Sequence, residues 1–163
     1  MPDYDIVFQD NSVKVIASIH DAVDKFLLEA GAELEAQVVR NSRVDTGKTR
    51  GQWAAKLDKS NQQIFVGNPL ENAIFEEFGT GEYAVNGKGR SGYWVFVKGS
   101  GSPSKSTKSY TLAEAKRAVA ILRKKGLDAY YTKGKRGTRA FEKAMNTTKP
   151  KLKNIAKDAF GGV

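Results

Sequence analysis

The chain has 163 residues, 40% of them hydrophobic, 10% aromatic and 28% charged, which suits one globular core and argues against a disordered chain. It has no cysteine and a single histidine, which excludes disulfides, thiolate nucleophiles, cysteine-based metal centres and multi-histidine metal sites. The net charge of +9 is unevenly spread: residues 1–80 hold 8 Lys and Arg against 13 Asp and Glu, residues 81–163 hold 19 against 5, so one acidic and one basic region are expected.

The first residues, MPDYDIVFQDN, lack a basic stretch followed by an apolar run, and no apolar segment approaches bilayer length, so neither a secretory signal nor a membrane span is expected. Ile16, Ile19, Val23, Phe26, Leu27, Ala30, Leu34 and Val38 recur at spacings of three and four. That pattern predicts a long helix over about 17–42, apolar on one side and acidic on the others. His20 falls in it and reads as a packing or surface residue. The acidic stripe is a solvated face or a docking surface for a basic neighbour.

The turn formers of 41–47 end that helix, and a short segment leads to Trp53. Trp53 to Leu57 and Gln63 to Val66 predict the strands of a hairpin. Leu70 to Phe78 predicts a short helix, with Leu70, Ile74, Phe75 and Phe78 on one side and Gly79 at its end. Tyr93 to Val97 predicts a strand. A polar loop at about 99–110 is expected to be mobile. A basic helix–strand insertion follows at about 111–135, with Thr111 as the helix cap, Gly126 at the helix end and a strand over Leu127–Tyr131. Thr138 to Asn146 and Pro150 to Phe160 predict helices kinked or broken near Pro150. The whole reads as a single domain, 1–163.

No motif specifies catalysis, a cofactor or a metal. Gly87 to Gly92 fits G-x-G-x-x-G but opens a strand where a dinucleotide site opens a helix. Glu76 and Glu77 are adjacent carboxylates, but helix neighbours point about 100° apart, which rules against a shared acid–base site. Asp45-Thr46-Gly47 is explained by an Asx-type turn. Lys116, Arg117, Arg123, Lys124, Lys125, Lys133, Lys135, Arg136 and Arg139 form a basic tract with Tyr130 and Tyr131 inside it. Such a tract can hold phosphates while bases stack on the rings, can meet an acidic protein, or can serve only solvation.

Three segments then stand out in order: Val44-Asp45-Thr46-Gly47-Lys48-Thr49-Arg50-Gly51, then Asn72 to Gly81 (NAIFEEFGTG), then Gly137 to Ala144 (GTRAFEKA). Together they resemble the small tail-component, or head-to-tail joining, proteins of long-tailed double-stranded DNA phages and prophages. The resemblance implies an α+β protomer, with a long N-terminal helix and a C-terminal helix on one face of a small antiparallel sheet. It also implies a non-enzymatic structural part of the virion neck or tail end, built in the host bacterial cytoplasm. Such a part assembles as a ring, sixfold favoured, for tail completion or head–tail joining. The partners implied are other copies, other neck and tail proteins and, non-specifically, passing double-stranded DNA, with no membrane, small-molecule substrate or cofactor.

Within that resemblance Asp45, Thr46 and Gly47 shape the turn into the sheet beside Arg50. Glu77, Phe78, Gly79 and Thr80 end the short helix at the sheet edge, and Phe141 anchors the last helix. The basic tract is the candidate for neighbour contacts or for a DNA-facing surface. The alternative function is a basic nucleic-acid-binding module.

Overall fold

The computed structural model, which describes residues 9–44, 47–85, 87–99 and 108–162, contains two antiparallel strand pairs. The elements are helix α1 (Ser12–Asn41), strands β1 (Ala54–Asp58) and β2 (Gln63–Gly67), and helix α2 (Glu71–Phe78). Strand β3 (Trp94–Val97), helix α3 (Leu112–Lys124), strand β4 (Ala129–Thr132), and helices α4 (Ala140–Thr148) and α5 (Leu152–Phe160) follow. The protein is α+β. The small antiparallel sheet that the resemblance implies takes the form of two two-stranded sheets, β1–β2 and β3–β4. Packing divides the chain into two compact units, 1–41 with 50–68 and 141–163, and 42–49 with 69–140.

In the first unit α1 packs on both strands of the β1–β2 hairpin and on α5. The hairpin register pairs Ala54 with Gly67 and Asp58 with Gln63. Its loop is fixed by the Asp58 carboxylate, which accepts hydrogen bonds from the Asn61 amide N–H and side chain at 3.2 and 2.8 Å. Gly31 lets the hairpin approach the helix: a Cβ there would lie 2.5 Å from Ile64 Cγ1. A helical glycine costs about 1 kcal/mol of propensity, offset here by the hairpin's seat. Val38 and Ala30 are buried, Phe26 meets Phe160 with ring centroids 6.3 Å apart, and Trp53 stacks on Phe141 at 6.0 Å.

The acidic side of α1 is largely used within the chain. Glu33 takes Lys151 Nζ at 2.5 Å and the Gln37 amide at 2.8 Å. Asp24 pairs with Lys59, and Glu35 accepts the Ala55 N–H at 2.7 Å. Lys151, then Gln37, holds the Glu33 carboxyl below its ordinary range.

The long helix begins five residues before its expected start, because the Asp10 carboxylate caps the Ser12 N–H and Asn11 accepts from Val15. From Ser12 to His20 every residue is exposed, Ile16 and Ile19 on the apolar side of the helix among them.

In the second unit β3 and β4 pair from Trp94 with Thr132 to Val97 with Ala129. The basic segment expected as an insertion therefore completes a sheet. Helix α3 lies on that pair through Ala115, Val119 and Ala129, all buried. Its start is a capping box in which Thr111 and Glu114 each satisfy the other's backbone N–H, and Gly126 closes it at φ +78°. The last helical stretch starts at Ala140, later than Thr138, because Thr138 gives its N–H to Glu76 O at 2.6 Å and Arg139 is left-handed at φ +53°. Pro150 sits in a 3-10 turn between α4 and α5, as its fixed φ and missing N–H favour. Most of the loop at about 99–110 lies outside the described residues.

Candidate functional site

Helix α2 is short and stands on one buried residue, Ala73. Its apolar side is open: Ile74 is 61% exposed, Phe75 53% and Phe78 56%. What holds this helix is the chain beyond it. Gly79 ends α2 at φ +76°, and residues 79–82, which enter a 3-10 turn at Gly81–Tyr83, lie against residues 133–138. Thr80 N–H donates to Lys135 O at 2.9 Å, Glu82 N–H to Lys133 O at 3.0 Å, and Lys135 N–H to Thr80 Oγ1 at 3.1 Å. The two runs approach so closely that a Cβ on Gly81 would lie 2.2 Å from Lys133 O, and one on Gly137 2.2 Å from Glu77 O. Only glycine fits there.

Glu76 fastens the arrangement. Its carboxylate accepts from Lys135 Nζ at 2.5 Å and from Thr138 Oγ1 at 3.4 Å, while its backbone carbonyl takes the Thr138 N–H. Glu82 repeats the pattern one turn on, pairing with Lys133 Nζ at 3.2 Å and accepting the Gly92 N–H. Lys133 and the Gly92 N–H hold the Glu82 carboxyl low, and Glu82, with Tyr83, holds the Lys133 ammonium high. Adjacent to this lock, a cleft of about 460 Å³ joins Arg43, Val44 and Lys48 to Phe75, Glu76 and Lys135. The first and second conspicuous segments and the opening of the third thus meet in one unit. Asp45 and Thr46 lie outside the described residues. Gly47 has φ +78°.

Other candidates fall elsewhere. Arg50 opens a 3-10 turn before β1, and Phe141 is half-buried on Trp53 in the first unit. Glu77, Phe78, Gly79 and Thr80 border the 133–138 run and no sheet. The basic tract divides: Lys133 and Lys135 are ion-paired, Arg136 lies over Tyr83 at 5.2 Å, and Arg123 lies over Tyr130 at 5.3 Å while donating to Ala129 O. Arg139 is engaged within the chain. Lys116, Arg117, Lys124 and Lys125 stay exposed on α3. Sequence reasoning missed Glu76 as the hub, because its partners lie about 60 positions away; the excess of glycine in both runs was the one available signal.

Among the described residues no group of His, Asp and Glu could hold a metal ion, and no helix is long and apolar enough to cross a membrane. No curated protein and no solved structure matches the chain. Residues 7–79 match the HK97-gp10-like family model, described as "Bacteriophage HK97-gp10, putative tail-component". The matched stretch runs from before α1 through α2 and ends at Gly79, so it holds the first segment and the second as far as Gly79, and stops short of the third. Over residues 7–79 the chain is similar to the HK97-gp10 family of bacteriophage tail components.

Proposed function

We propose that this protein is a structural, non-enzymatic component of the phage neck or tail end, and that it works by assembling. The observation that carries this reading is the open face of α2. Three large apolar side chains are exposed on a helix held from behind by the Glu76 lock and the glycine-lined runs. Single exposed apolar residues are ordinary, whereas a contiguous apolar patch on a rigid support marks a surface that another protein covers. Copies of this chain, arranged as a ring with sixfold symmetry favoured, and neighbouring neck or tail proteins are the partners. Its place is tail completion or head–tail joining in the virion, after assembly in the host cytoplasm. The test is complementation of a phage lacking the gene with Ile74→Asp, Phe78→Asp. A folded variant that yields no infectious particles supports the reading, and full rescue contradicts it.

A second reading rests on a specific arrangement. Phe96 and Tyr130 stack at 5.8 Å on the β3–β4 pair beneath Arg123, and the exposed cations of α3 belong to the same unit. Rings beside cations can hold passing nucleic acid. DNA affinity that falls steeply with salt, and less steeply after Lys124→Ala, Lys125→Ala, supports it; a flat salt response removes it.

A further inference from the structure

We infer that two copies of this protein pair through α1, the projecting first turns of each helix docking into an apolar groove on the other copy. The apolar stripe of α1 is longer than the body that covers it. From Ala22 onward the stripe is packed, but before it Val13 is 79% exposed, Ile16 56% and Ile19 41%. Farther along the same helix lies the complementary feature, a groove of about 680 Å³ walled by Phe26, Ala30 and Leu34 of α1 and by Phe141, Met145 and Leu152 of the C-terminal helices. It is almost wholly apolar and opens to solvent at Met145, which is 42% exposed. An amphipathic helix end with anchors three apart is what an apolar groove of this kind accepts.

Charge agrees with that pairing. Residues 141–162 carry five lysines against Glu142 and Asp158, and Lys149 lines the groove itself. The projecting turns carry Asp10 and Asp21 against Lys14, a net negative charge.

Geometry sets the symmetry. At 100° per residue, Ile16 and Ile19 point to the same side of α1 as Phe26, Ala30 and Leu34. Arm and groove of one copy therefore face the same way, separated along the helix by about 20 Å at a rise of 1.5 Å per residue. A partner that offers its groove to this arm must face it. With the helices antiparallel, its own arm then meets the first copy's groove, giving a reciprocal, two-fold contact. That contact is separate from α2 and from any ring, and it stands or falls independently of the virion role.

The absence of cysteine makes the contact directly testable in the full chain. A double variant, Ile16→Cys with Met145→Cys, oxidised at high micromolar concentration, is expected to give a covalent dimer, as is a mixture of the two single variants. Ile16→Asp, Ile19→Asp is expected to abolish the dimer in sedimentation with little change in melting temperature, since both side chains are exposed. A native protein that sediments as a monomer overturns the inference. So does a dimer that survives the aspartates, or a cross-link that forms only between two Ile16→Cys copies, which would mean that the arms pair with each other.

Discussion

The Glu76 carboxylate holds Lys135 Nζ at 2.5 Å across 59 positions of sequence, and the same glutamate bonds Thr138 through both its side chain and its backbone. One residue thereby ties the end of α2 to the run that leads into α4. Glu76→Ala removes an ion pair and a hydroxyl partner and is expected to cost about 1–2 kcal/mol in denaturant unfolding. Hydrogen exchange adds a local readout: the Thr80 and Thr138 amides lose protection first. Unchanged protection would mean that the backbone pairing holds without the glutamate.

The glycines give a graded series. Gly81→Ala combines left-handed backbone at φ +60° with a Cβ only 2.2 Å from Lys133 O, so it is expected to destabilise by roughly 2–4 kcal/mol. Gly47→Ala has the same backbone penalty with open space around it and should cost about 1–2 kcal/mol. Gly51→Ala has neither problem and should stay within about 0.5 kcal/mol of the native protein. Thermal or urea unfolding of the three variants checks the order, and equal effects at Gly81 and Gly51 would break it.

The architecture was legible where periodicity or a cap carried it. The spacing of Val23, Phe26, Ala30 and Val38 reads directly as α1, and Thr111 with Glu114 announces α3. Two kinds of feature were not legible. The exposure of Ile16, Ile19, Ile74, Phe75 and Phe78 was not legible, because periodicity says which residues share a side and nothing about whether that side is covered. The joining of residues 79–82 to 133–138 depends on backbone hydrogen bonds, to which side-chain patterns are blind. The pairing of Lys133 and Lys135 with Glu82 and Glu76 was hidden for a related reason: those acids precede them by about 50 to 60 positions.

Glu33 makes acid sensitivity predictable in sign. Its folded-state pKa is lowered by Lys151 and Gln37, so its contribution to stability is complete above the ordinary glutamate value of about 4.3 and is lost as pH falls through the depressed value. A double-mutant cycle of Glu33→Gln and Lys151→Met at neutral pH should give a coupling of roughly 0.2–1 kcal/mol, as for other solvent-exposed pairs. That coupling should shrink toward zero below pH 4, and a coupling that grows on acidification would contradict the assignment.

Thr148 is buried at 3% exposure, and among the described residues its hydroxyl has no hydrogen-bond partner. Thr148→Val keeps the shape and removes the unsatisfied group, so the expected result in thermal unfolding is neutral to stabilising by about 1 kcal/mol. A loss of more than about 1 kcal/mol would show that the hydroxyl has a partner in solution, such as a buried water.

The central claim is that this chain completes a virion, and the most direct measurement is electron microscopy of particles made when its gene is deleted from the phage or prophage that carries it. The account predicts defective particles: full heads beside separate tails of normal length for a joining or completion role, or tails of irregular, excessive length for a terminator. Normal, infectious particles would contradict it and bring the nucleic-acid reading to the front.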